Sequence, residues 1–191
     1  MKALDVCGIT PVLNCRIAEV KKDCLVLHDG EPIATETAIF ATGLVASDLT
    51  RAFDCERDEK GRLIVDEYLH IGRHRGVFVA GDTARAFTDG KHPSLQSCQH
   101  AIQLGRYAGH NAVQYLANRE KAPYPQEFYS TCLDVGAAGA IYAEGWGRHV
   151  KRTGYEGKET KKFINRTLIY PPKAEKGRDA IFKEVGIDSA R

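Results

Sequence analysis

The sequence predicts a mixed α/β fold, and three observations carry that expectation. The first 45 residues alternate apolar and polar positions about a hairpin cue, as half-buried strands do. Two short apolar runs, Ala38-Ile39-Phe40-Ala41 and "GVFVAGD" (76–82), each end in a glycine beside a polar residue. From Pro93 onward the apolar period changes to three or four residues, the spacing of one helix face.

Taken in order, "RIAEV" and "CLVLHDGEPIATET" read as strands joined at His28-Asp29-Gly30. The run "AIFATG" reads as a fully buried strand ended by Thr42-Gly43. Residues 44–62 are polar, and "CERDEKGR" is a turn between short elements. "RLIVDEYLHI" alternates weakly, and "GVFVAGD" reads as a second buried strand. A helix is expected from Pro93 to "KAPYP", with Leu95, Cys98, Ala101, Ile102, Gly105, Ala108, Ala112 and Leu116 as its core stripe. Gly105 and Gly109 on that helix suggest close approach to another element, and Cys98 reads as a packed thiol. Beyond Pro125, "CLDVGAAGAIYAEGWGRHVKRTGYEG" suggests turns and brief strands. "GKETKKFINRTLIYPP" reads as a helix stopped by Pro171-Pro172, and "KGRDAIFKEV" as a further helix.

Composition bounds the function. The chain has 191 residues, 43% hydrophobic and 27% charged, with a formal net charge of +2. That balance suits a folded soluble protein and does not point to a nucleic-acid partner. Charge is uneven: residues 148–191 hold twelve Lys/Arg against six Asp/Glu, and the rest holds fifteen against nineteen. Such a basic end is a solvated face or a contact for an anionic membrane surface. The six cysteines show no C-x-x-C and no metal-ligand spacing, as expected for reduced, mostly buried thiols. With no apolar run near 20 residues, the expected location is the cytoplasm, with peripheral contact at the inner face of the membrane.

Chemistry concentrates where "GVFVAGD" ends. In open α/β sheets ligands bind outside the carboxyl ends of strands. There the Asp82 carboxylate can accept hydrogen bonds from adjacent hydroxyls, and Gly81 lets a ligand approach the backbone. A helix N-terminus just beyond offers unpaired N–H groups and partial positive charge.

"GVFVAGD" resembles the second FAD-binding motif of the two-dinucleotide-domain, pyridine-nucleotide-dependent oxidoreductases. "AIFATG" resembles the segment where their chain crosses from the NAD(P)H domain to the FAD domain, and "HPSLQSCQHAIQLGRYAGHN" resembles their flavin-facing helix. Within that superfamily the sequence is most similar to type II NADH dehydrogenases and related NADH dehydrogenase-like flavoproteins. The resemblance implies the C-terminal half of such an enzyme: residues 1–43 as the end of the NAD(P)H domain, 44–122 as the closing part of the FAD domain, and 123–191 as a small α+β C-terminal domain. It implies FAD and NAD(P)H as cofactors and a quinone or another small electron acceptor.

Carried onto this chain, the resemblance gives Asp82 and Gly81 the ribityl hydroxyls and Thr42 and Gly43 the crossover beside the cofactor. The amides of Ser94, Leu95 and Gln96 face the pyrimidine edge of the flavin. Gln96 matches the first glutamine of the quinone-side motif. His100 replaces the second, either as a hydrogen-bond or proton donor to a reduced acceptor or as a surface or core-edge histidine of the helix. His92 reads as a helix-start residue. No G-x-G-x-x-G loop for either pyrophosphate is present, and "GAAGAIYAEG" reads as tight packing or turns. The partner implied is therefore an N-terminal half or a homo-oligomer. The competing reading is a non-catalytic fragment that serves as an interaction or assembly module.

Overall fold

The computed structural model describes residues 2–87, 89–125 and 129–187. They form two compact units, one of residues 1–43 with 135–138 and one of 44–134 with 139–191.

In the first unit a short helix, α1 (Lys2–Val6), is tied to residues 135–138 by the Cys7 thiol, which donates to the Val135 carbonyl at 3.0 Å. Strands β1 (Ile17–Val20), β2 (Cys24–Leu27) and β3 (Pro32–Ala34) form an antiparallel sheet in that order. The expected hairpin turn lies between β2 and β3, where Leu25 pairs Ile33 and the Gly30 N–H donates to the Leu27 carbonyl at 2.9 Å. The buried strand expected at residues 38–41 does not form. Ile39 and Phe40 are 89% and 64% exposed, and the run joins no ladder among the described residues. Such a run is buried only when strands flank it and helices cover its faces.

The second unit is built on a parallel pair, β4 (Leu63–Ile64) beside β5 (Ala84–Arg85). Around it Leu63, Val65, Leu69, Ile71, Val79 and Leu104 form the core, so the weakly alternating "RLIVDEYLHI" supplies most of the buried side chains. "GVFVAGD" packs into that core without being a strand. Phe78 makes one isolated bridge to His70, and the Val79 N–H donates to the Leu69 carbonyl at 2.8 Å.

The long helix, α2, runs Cys98–Leu116, five residues later than the expected start at Pro93. Pro93 instead bridges Phe87, and Ser97 caps the helix. Its buried stripe is also rotated from the expected one: His100, Leu104, Ala108 and Asn111 face inward, whereas Cys98, Gly105, Gly109 and Leu116 are exposed. The helix accepts a polar residue in that stripe because Asn111 is fully bonded there. Its Nδ2 donates to the carbonyls of Tyr68 and Ala122, and its Oδ1 accepts from the Ala122 N–H, each at 2.9 Å. The close approach expected at Gly105 and Gly109 is absent; nothing lies within 4 Å of where a Cβ would stand.

The C-terminal part carries a second antiparallel sheet, β6 (Ser130–Asp134), β7 (Ala140–Glu144) and β8 (His149–Arg152), followed by α3 (Gly154–Phe163). Tight packing is the role of the glycines here: a Cβ on Gly157 would land on the Ala140 carbonyl oxygen, so α3 touches β7 backbone to backbone. One wide helical turn, Ile164–Leu168, continues α3 before Pro171-Pro172, and α4 (Arg178–Val185) follows. No described helix is long and apolar enough to cross a membrane. None of the six cysteines is fully buried, contrary to the composition-based expectation; all are free, and Cys15 and Cys98 are exposed.

Candidate functional site

Residues 81–87 and 89–97 follow the buried "GVFV" run and lead up to α2. Gly81 has φ +69°, which glycine adopts without strain, and it opens a single tight turn, Gly81–Thr83. That turn holds the Asp82 carboxylate out in solvent, without a hydrogen bond or ion pair among the described residues. The Asp82 carbonyl is held from the other end of the loop, where Gln96 Nε2 donates to it at 3.1 Å.

Ser94 is a brace inside this loop. Fully buried, it donates its N–H to the Ala86 carbonyl at 2.6 Å, and its hydroxyl accepts from the Ala86 N–H at 3.2 Å. Its carbonyl accepts from Arg62 Nη1 at 2.6 Å, and Arg62 Nε in turn meets Asp58 Oδ2 at 2.7 Å. Burial would push the Asp58 carboxyl up; the N–H and guanidinium of Arg62 outweigh it and leave the pKa below its ordinary value. The Ser94 amide is therefore committed within the protein, which corrects its expected place at a helix N-terminus. The N–H groups of Leu95 and Gln96 carry no hydrogen bond among the described residues. They lie outside α2, ahead of its cap.

At the cap, Ser97 Oγ accepts from the His100 N–H at 3.5 Å and lies 2.9 Å from His100 Nδ1. His100 is completely buried, and desolvation lowers its pKa from 6.5 to about 4, so the imidazole is neutral. Its Nε2 is buried without a partner. The ring sits 5.7 Å from Tyr129 and 6.2 Å from Trp146, behind the cap and away from solvent.

An aromatic stack covers it. Trp146, in the β7–β8 turn, is sandwiched between Tyr129 (centroids 4.3 Å, planes 19° apart) and His92 (4.5 Å, 9°). His92 is thus a stacking residue and not the helix-start residue expected. Asp89 fixes its ring with Oδ2 2.6 Å from Nδ1, and these bonds from His92 hold the Asp89 carboxyl at about 2.

Beside the cap a groove of about 930 Å³ opens between the start of α2, the β6–β8 sheet and the end of α3. Gln96, Ser97 and Cys98 line it from one side, and Leu133, Ile141 and Ile169 from the other. His100 does not line it. Thr42 and Gly43 lie in the first unit, exposed, with Gly43 at φ +114°.

Two features had no sequence signal. The stack joins His92, Tyr129 and Trp146 from three separate segments. The groove needs the register of β6–β8 against α2. Among the described residues, no cluster of His, Cys, Asp and Glu is fit to hold a metal ion.

The geometry can be set beside known proteins. Residues 1–105 match the sequence profile described as "Pyridine nucleotide-disulphide oxidoreductase". An NADH dehydrogenase-like protein of Mycobacterium tuberculosis is 40% identical over 165 residues, covering 86% of this chain and 41% of the relative. The mitochondrial internal alternative NAD(P)H-ubiquinone oxidoreductase A1 of Arabidopsis thaliana is 29% identical over 108 residues, 56% of this chain and 21% of that protein. In fold, the chain is similar to a NAD-dependent persulfide reductase from A. fulgidus, with TM-score 0.54 and 14% identity over 86% of this chain and 39% of that one. This chain therefore spans about two fifths of the length of its first-ranked relatives. A profile match over more than half of the sequence places the chain in the pyridine nucleotide-disulphide oxidoreductase family.

Proposed function

We propose that this chain is the closing part of an FAD-dependent NAD(P)H dehydrogenase that delivers electrons to a quinone or another small acceptor. On this reading residues 1–43 end the NAD(P)H domain, 44–122 close the FAD domain, and 123–191 form the C-terminal domain. One observation carries the reading. The Asp82 carboxylate and the N–H groups of Leu95 and Gln96, all without a partner among the described residues, border one loop, and Gln96 ties its two ends together. FAD, when bound, supplies a two-electron relay between NAD(P)H and the acceptor. The donors and acceptors present suit its ribityl and pyrimidine parts, and no G-x-G-x-x-G loop for its pyrophosphate is present in this sequence.

Each residue then has a separate task. Asp82 accepts hydrogen bonds from sugar-like hydroxyls, and Gly81 keeps the approach open. The N–H groups of Leu95 and Gln96 donate to a carbonyl edge on which negative charge develops, a preorganised arrangement that favours the reduced state. The Gln96 side-chain amide, which ties the loop at the Asp82 carbonyl, is the group this reading gives to the acceptor. His100, neutral and sealed, enters this reading as the residue that sets the cap geometry behind Gln96. Thr42 and Gly43 keep the crossover role that the family resemblance gives them. The basic C-terminal end, with exposed Phe182 on α4, is the surface proposed to contact an anionic membrane face. Sedimentation with anionic vesicles at low and physiological salt tests that contact, and no binding at either ends it.

The test of function is the absorbance spectrum of the purified chain with FAD, after removal of unbound cofactor, alone and with a complementary N-terminal half. Retained flavin bands that bleach with NADH support the reading. Absence of bound flavin even with the complementary half overturns it and favours the second reading, a non-catalytic interaction module. The exposed pair Ile39 and Phe40 supports that alternative.

A further inference from the structure

We propose that the groove beside the start of α2 is a binding site for a single-chain amphiphile with a carboxylate head group. The inference does not depend on flavin binding. Its first support is composition: the walls include apolar Leu133, Ile141 and Ile164, and the lining holds three cations, Arg106, Arg148 and Lys161, with no carboxylate among the described residues. A groove built for a neutral ring system has no need of three like charges in its lining, whereas an anionic head group gives them a partner.

The second support is the state of those cations. None of the three makes an ion pair or side-chain hydrogen bond among the described residues, in a protein whose surface lysines and arginines are otherwise often paired. Arg106 is the decisive case, because its Nε is buried and unpartnered. A guanidinium N–H removed from water and left unmet is among the costlier gaps a fold can hold. One turn earlier on the same helix, Gln103 Oε1 is also buried without a partner, and its amide can turn to present the NH2 to the same guest. Both residues line the groove. The volume, about 930 Å³, lies near the upper end of the usual range for small-molecule sites, roughly 300–1,000 Å³, and is ample for an alkyl chain.

Isothermal titration of the full chain tests this with four probes: dodecanoate, dodecanol, a neutral decyl-substituted quinone, and vesicles containing anionic phospholipid. The expected result is that dodecanoate binds at least tenfold more tightly than dodecanol and the quinone, and that added salt weakens it. Arg106→Gln should reduce dodecanoate affinity at least tenfold and leave dodecanol unchanged, while Lys183→Gln, on α4, should change neither. If Arg106→Gln does not fold by circular dichroism, the double variant Arg148→Gln/Lys161→Gln replaces it with the same expectation. The proposal is overturned if no probe binds, if dodecanol or the quinone binds as tightly as dodecanoate, or if only the vesicles bind. It also fails if the folded variants bind dodecanoate as the native chain does.

Discussion

The side-chain amide of Gln96 donates to the main-chain carbonyl of Asp82 across 3.1 Å, fourteen residues back along the chain. The bond joins a residue just ahead of the α2 cap to the tight turn that begins at Gly81, so the Asp82 carboxylate and the Leu95 and Gln96 N–H groups keep a fixed separation. Gln96→Leu removes that tie and should weaken FAD binding about fivefold, the effect of one net hydrogen bond of roughly 1 kcal/mol. Asp82→Asn, which keeps the shape and removes the charge, should weaken it more. Flavin fluorescence titration of the chain, alone and with a complementary N-terminal half supplied, reads both; equal affinity in all three proteins would detach this loop from the flavin.

The loop in turn depends on Arg62. Its side chain and that of Asp58 are 7% and 0% exposed, and Arg62 Nη1 also holds the Ser94 carbonyl. Arg62→Ala takes the guanidinium from the buried Asp58 Oδ2 and from the Ser94 carbonyl, while Asp58 Oδ1 keeps the Lys60 and Arg62 main-chain N–H groups, at a cost of about 3 kcal/mol. Urea denaturation should show that loss at pH 7. It should shrink in acid, because Asp58, depressed by Arg62, gives stability that is present above its ordinary pKa and lost as pH falls through the folded value.

Asn111 gives a similar test without charge. Three hydrogen bonds at 2.9 Å anchor α2 to the carbonyls of Tyr68 and Ala122 and to the Ala122 N–H. Asn111→Leu fills the space and satisfies none of them, so a loss of roughly 2–4 kcal/mol is expected by thermal or urea unfolding. A loss under 1 kcal/mol would mean that water replaces the amide.

His100 predicts a pH dependence with a definite sign. Burial lowers its pKa from 6.5 to about 4, so between those values the unfolded chain takes up a proton that the folded chain refuses. Stability from this group is therefore constant above pH 6.5 and declines as pH falls toward 4, by at most about 3 kcal/mol. His100→Phe should flatten that segment of the stability curve relative to the native chain, as measured by urea midpoints from pH 4 to 8.

The sequence announced elements through local signals and missed what depends on contacts between distant segments. The β2–β3 hairpin was legible because His28-Asp29-Gly30 encodes its turn, and α3 because Pro171-Pro172 bounds it. Pro93 fits a helix's first turn, yet the Phe87 bridge and the Ser94 brace hold residues 93–96 outside α2 and give the cap to Ser97. Its buried face was misread because small residues looked like the core stripe. Asn111 faces inward instead, where main-chain groups from Tyr68 and Ala122 bond it. The run 38–41 has a strand's composition without the flanking strands that would bury it. Gly81 and Asp82 stand together at the end of the apolar run because they are neighbours in sequence, whereas the hydrogen bond that joins Gln96 to the Asp82 carbonyl has no local signal.

Trp146 links the stack to the titration of His100. It is the chain's only tryptophan, and it lies flat between His92 and Tyr129 with the His100 ring 6.2 Å away. Desolvation is the cause of the low His100 pKa, and the indole and the Tyr129 phenol are the aromatic groups that shield that ring. Trp146→Ala should therefore do two things together. Loss of two stacked contacts and of the buried indole face should cost roughly 3 kcal/mol at pH 7. Readmitted water should carry the His100 pKa back toward 6.5, which makes the remaining stability less sensitive to pH between 4 and 6.5. Proton NMR titration of the imidazole Cε1–H, with His100→Phe to assign the resonance, follows the second effect directly. A His100 pKa that stays near 4 in the Trp146→Ala protein would place the shielding in the core below the ring, around Leu104, and leave the stack only its role in holding the β7–β8 turn against the loop at His92.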